Sequence, residues 1–178
     1  MRPDVAFSYV RDLIERITGV RPDPDDDGDL PVHFHGAQFF VRVIASAANP
    51  WVQVFSIAVA DVPESPGLMS RLNQINGFIH FARAFHIGTQ VIIEAEIWAD
   101  DVTPGNFLYA CQNVAAATDT FAPEIQKAFG GRLLFEESKT EAYHQGELPF
   151  GPLTARGDDS SGSPPVYPGQ GSSISPYL

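Results

Sequence analysis

Cysteine, basic charge and long apolar runs are all scarce in this sequence, and each scarcity removes a class of protein. The one cysteine, Cys111, has no partner for an internal disulfide, so a disulfide scaffold is excluded. Lysine and arginine number 11 against 22 acidic residues, giving a net charge of −11 and a pI of about 4.6. Such a surface repels phosphate backbones and anionic lipid, which argues against nucleic-acid or membrane-surface partners. No apolar run approaches the roughly 18 to 20 residues that cross a bilayer, so no membrane insertion is expected. The opening segment MRPDVAFSYVRDLIERI is charged throughout and lacks the apolar region of a signal peptide. These features predict a soluble cytoplasmic protein. Two lysines against nine arginines, with many alanines, point to a bacterial source with a GC-rich genome.

What remains is ample for a core. Apolar residues make up 44% of 178, enough for one domain and an appendage. The first helix is expected from about Val5 to Ile17, where Val5, Tyr9, Leu13 and Ile17 recur every fourth residue and Gly19 follows as a C-cap. An acidic loop, PDPDDDGDL, leads into LPVHFHGAQFFVRVIA, which reads as two strands with a turn near Gly36. A third strand runs from Trp51 to Val62, and Pro66 opens a second helix to about Asn76. Strands follow at Phe78–Ile87 and Gln90–Ala99. A long helix then spans Gly105 to Phe129, with Phe107, Cys111, Val114, Thr118, Phe121, Ile125 and Phe129 on one stripe. Pro123 lies inside it, which predicts a kink or break near Phe121. The order α-β-β-β-α-β-β-α describes an α+β, two-layer domain over residues 1–135, an antiparallel sheet with its helices on one face. Residues 136–178, rich in Pro, Gly and Ser, read as a tail that is disordered unless docked on a partner.

The segment LNQINGFIHFARAFHI carries the residue types of an active site, yet its spacing is that of a scaffold. If Gly88-Thr89 is a two-residue hairpin turn, Arg83 falls opposite Glu94, Phe85 opposite Ile92, Phe81 opposite Glu96 and Ile79 opposite Trp98. Cross-strand partners share a face. One face therefore displays Phe81, Arg83, Phe85, Ile92, Glu94, Glu96 and Trp98, a half-solvated mixture of aromatic residues and charges. The other, with His80, Ala82, Ala84 and His86 against Val91, Ile93, Ala95 and Ile97, is assigned to the helices. The first face is either a partner-binding surface or an ordinary exposed sheet face. Asn73 and Asn76 sit where asparagine commonly ends a helix.

Catalytic patterns fail one by one. The loop Asp23–Asp29 matches the first half of a calcium loop, but Phe34 occupies the place of the bidentate glutamate. His33 and His35 alternate on one strand without a third clustered ligand. Cys111 falls in an apolar helical stripe, as a packed thiol does. Glu94 and Glu96, exposed beside Arg83, have no reason for the raised pKa that paired-carboxylate chemistry needs. No G-x-S-x-G or phosphate loop occurs. No cofactor and no catalytic residue are expected. The tail motifs Pro164-Pro165-Val166-Tyr167 and Arg156-Gly157-Asp158 are short enough to arise by chance.

A resemblance adds to this reading. Leu72, Asn73 and Asn76 form an L-N-x-x-N helix end, and Phe81-Ala82-Arg83 follows. Glu94 and Glu96 then lie on an acidic alternating strand. Asp101, Thr103 and Pro104 start the last helix, which closes on Phe129-Gly130-Gly131. This run resembles the YbjN family, similar in fold to type III secretion chaperones, in its actinobacterial form. The resemblance implies a non-enzymatic peptide- or protein-binding module, often a homodimer, with no catalytic residues to carry over. The alternatives are a structural subunit anchored on a larger complex by its tail, through Phe150, Tyr167 and Tyr177, and a small ligand-binding or catalytic domain.

Overall fold

A computed structural model describes residues 1–34, 37–46 and 49–134. The elements run α1 (Pro3–Thr18), β1 (Leu30–Phe34), β2 (Ala37–Ile44), β3 (Trp51–Val59), α2 (Pro66–Asn76), β4 (Arg83–Ile87), β5 (Gln90–Trp98), a 3-10 turn (Ala99–Asp101) and α3 (Pro104–Phe129). The five strands form one antiparallel sheet in the order β1-β2-β3-β5-β4, so β5 separates β3 from the strand that precedes it in sequence. Three helices pack on one face. The expected α+β order therefore holds.

Local chemistry explains the boundaries. Gly19, at φ 75°, closes α1 by donating its N–H to the Glu15 carbonyl. Ser65 caps α2 through its hydroxyl, which accepts the Leu68 N–H. Thr103 and Asn106 form a reciprocal capping box at α3, with Pro104 at its first position. Gly88 supplies the positive φ (62°) at the first position of the β4–β5 turn.

The core has two halves on the same side of the sheet. Val10, Leu13 and Ile14 of α1 pack with Leu30, Phe39, Val41, Val52, Phe107 and Val114. Leu68, Leu72 and Ile75 of α2 pack with Val59, Ala84, Val91, Ile93, Ala122 and Ile125. The helix α3 contributes to both.

Two expectations are corrected. α3 is one helix of 26 residues with Pro123 inside it and no break near Phe121. Ala122 and Ile125, buried on either side of the proline, hold both segments against the core, and this packing outweighs the one backbone hydrogen bond that proline removes. The strand expected from Phe78 begins only at Arg83. The chain leaves α2 in a tight turn, Phe78 and Ile79 both donating to the Ile75 carbonyl, and reaches a left-handed conformation at Phe81 (φ 56°). The pairs Phe81–Glu96 and Ile79–Trp98 therefore do not form.

Candidate functional site

The β4–β5 register is the expected one: Arg83 opposite Glu94, Ala84 opposite Ile93, Phe85 opposite Ile92, His86 opposite Val91 and Ile87 opposite Gln90. Ala84, Val91, Ile93 and Ala95 turn towards the helices. Arg83, Phe85, Ile92, Glu94, Glu96 and Trp98 lie on the face that the helices leave uncovered. Phe81 does not join them. Its ring meets Tyr109 of α3 edge-on at 6.0 Å, and it is 83% exposed in the loop before β4. His80 is exposed in the same loop, while His86 shares a hydrogen bond with the Val62 carbonyl at 2.9 Å.

The uncovered face extends beyond the hairpin, because β3 brings β2 alongside. Its residues fall into rows that cross the sheet. Ile44, Trp51 and Trp98 form the row at one end, the two indoles edge to face with centroids 6.2 Å apart. Arg42, Gln53 and Glu96 make a polar row next to it. Phe40, Phe55, Glu94 and Arg83 follow, the two phenyl rings stacked at 5.6 Å. Ile57, Ile92 and Phe85 form an apolar row below them. The two arginines lie over rings of this face, Arg42 5.1 Å from the Phe55 centroid and Arg83 5.5 Å from Phe85.

Ion pairs hold the polar members in place. Glu94 is not the exposed carboxylate expected: it is 1% accessible, accepting from Gln53 Nε2 at 2.5 Å and from Arg83 Nε at 2.6 Å. Arg83 also reaches Glu96 at 3.3 Å. Arg42 donates to both carboxylate oxygens of Asp29 at 2.5 Å, a planar two-point match. These hydrogen bonds, first among the causes, raise the pKa of both guanidiniums above the ordinary arginine range.

The acidic loop stands beside this face. Asp25 accepts the N–H groups of Asp27 and Asp29 through Oδ1, and Arg11 of α1 anchors the loop start through Pro22 O and Asp23. A trough of about 350 Å³ runs between the loop and β4, floored by Phe40, Phe55, Ile57, Phe85 and Ile92. Asp29, the last acid of the calcium-like motif, is committed to Arg42. Among the described residues no group of three or more metal-ligating side chains is placed to hold an ion. His33 is exposed, and His35 lies outside the described residues, as do Phe150, Tyr167 and Tyr177. Cys111 is buried, and burial pushes its thiol up to about 12.

Phe40, Arg42, Trp51, Gln53, Phe55 and Ile57 were not among the residues assigned to this face from sequence. The alternation in QFFVRVI and WVQVFSI carries the signal, but it becomes a surface only once β3 is known to pair with β5. No helix among the described residues is long and apolar enough to cross a membrane.

Residues 4–137 match the model of a family described as T3SS (YopN, CesT) and YbjN peptide-binding chaperone 1. No curated protein matches the sequence. Among solved structures the chain is similar to the ExsC-ExsE complex, at 16% identity and a TM-score of 0.47, over 66% of this chain and 93% of that one. It is also similar to the heterodimeric ExoU-SpcU complex from the type III secretion system of Pseudomonas aeruginosa, at 12% identity and a TM-score of 0.49, over 64% of this chain and 95% of that one.

Proposed function

The chain belongs to the family of type III secretion and YbjN peptide-binding chaperones, and from that premise we propose that it holds a segment of a partner protein on the helix-free face of its sheet. The role is non-enzymatic, that of a chaperone-like adaptor. The observation that carries the reading is the uncovered face itself: rows of aromatic and branched side chains from four strands, with ion pairs set between them. A contiguous apolar surface with pre-positioned polar groups is what a docking site for a peptide requires. Trp98, Ile87 and Phe85, with Phe40 and Trp51, are its contact residues, and the buried Phe55 and Ile92 form the floor beneath them. Arg83, Glu94 and Glu96 set the polar positions. A homodimer and a cytoplasmic site of action belong to the same reading. The lone buried cysteine agrees with that compartment, and the arginine-rich, lysine-poor composition supports an actinobacterial member.

Pull-down of the full chain from its own cells, beside a version ending at Glu147, tests the proposal. Partners retained by both versions, and lost on Trp98→Ser combined with Ile87→Ser, support the face as the site. A single stoichiometric partner lost with the residues after Glu147 would instead mark a subunit anchored by its tail. Sedimentation velocity decides the homodimer.

A further inference from the structure

Resting on that reading, we propose that the trough selects a cationic apolar segment: four or five extended residues in which aliphatic or aromatic side chains meet the floor and lysine or arginine meets the acidic loop. The length follows from the geometry. The floor crosses β2, β3, β5 and β4, three interstrand spacings of ~4.8 Å, which a chain rising about 3.3 Å per residue spans in four or five residues.

The charge follows from pairing. The trough is lined by four carboxylates, Asp25, Asp27, Asp29 and Glu94, and one guanidinium, Arg42. Asp29 is matched by Arg42 and Glu94 by Arg83. Asp25 and Asp27 form no direct ion pair among the described residues: Arg42 feels the charge of both but is bonded to Asp29. Their loop is held by Arg11 and Arg42 from two different elements, so their charge is already in position before a ligand arrives. Beside an apolar floor, two such carboxylates favour a basic side chain and disfavour an acidic one.

The same argument narrows the occupant. A second copy of this chain would bring a further −11 to the acidic rim. The chain's own residues 135–178 hold six acidic residues against two basic ones. Both are mismatched in sign. Addition of a peptide as a sixth strand is also obstructed among the described residues. At β4 the Asn76 side chain takes both the N–H (2.7 Å) and the carbonyl (2.9 Å) of Ala84, and at the other edge Pro31 has no N–H to offer. The segment therefore lies across the face.

The test uses the full-length protein and three fluorescein-labelled 12-residue peptides. One alternates leucine with lysine and serine, the second carries glutamate in place of lysine, and the third carries serine in place of leucine. Anisotropy at 50 and 300 mM salt should show the first binding tightest and weakening with salt. Asp25→Asn with Asp27→Asn should weaken it about three- to tenfold, as expected for two exposed charge pairs, and reduce the salt effect. Ile87→Ser, at an exposed position on the trough wall, should weaken it at either salt concentration. Equal binding of the first two peptides overturns the charge assignment and leaves the peptide-binding reading standing. Equal binding of the first and third overturns the trough, since bulk attraction would then suffice. No binding of any peptide, when the pull-down does find a partner, overturns this inference alone, whereas both experiments failing overturns the two together. A dimer dissolved by Ile87→Ser would give the face to a second copy and overturn the proposal.

Discussion

Cys111 and Glu94 show how far the fate of a single side chain depends on its distant neighbours. The thiol lies in the helical stripe of α3, so its burial was legible from spacing alone, and the structure raises its pKa from the ordinary 9.0 to about 12. At pH 8 the native protein should therefore leave Cys111 unlabelled by a thiol reagent, with full labelling after unfolding in urea; mass spectrometry reads both. Because the folded value lies above the unfolded one, the native state keeps a proton that the unfolded chain loses from about pH 9. The thiol's contribution to stability is thus complete below pH 9 and declines as pH rises towards 12. Glu94 was misread as exposed because the group that covers it, Gln53, lies 41 positions away on another strand. Alternation assigns a side chain to a face, but it does not say how deeply its neighbours cover it.

At the scale of elements, the hairpin was the most legible part, since a two-residue glycine turn sets the register of every pair that follows. Its far end was not legible. The alternation of Phe78 to Ala82 continues the pattern of β4, yet Asn76 claims Ala84 and the intervening residues close a loop instead of extending the ladder. Replacing Asn76 by alanine removes two hydrogen bonds from one part-buried backbone unit. The expected cost is about 1–3 kcal/mol, seen as a lower urea midpoint. The bared edge should also raise light scattering on standing. Gly131 offers a second test. It sits at φ 91°, where an added Cβ would approach the Ala60 carbonyl to 2.5 Å and crowd Val62. It precedes Arg132, whose backbone bridges Ala60. Gly131→Ala should destabilise by about 2 kcal/mol or more, through both the left-handed backbone and the crowding.

For the whole molecule, element order and the two-layer arrangement could be read from periodicity, whereas the extent of the candidate site could not. The rows of the open face combine strands separated by up to 58 positions, from Phe40 to Trp98, and only the sheet order β2-β3-β5-β4 brings them together. The acidic excess acts at this scale too. Net charge should vanish near pH 4.6, so solubility measured between pH 4 and 7 is expected to pass through a minimum there. The unbroken run of α3 past Pro123 has a consequence for how the protein comes apart. One rigid rod serves both halves of the core, so neither half has an internal seam along which to open. Loss of the helix from one cluster would strip the other, so the sheet is expected to melt as a single cooperative unit and to keep its open face until the whole domain unfolds.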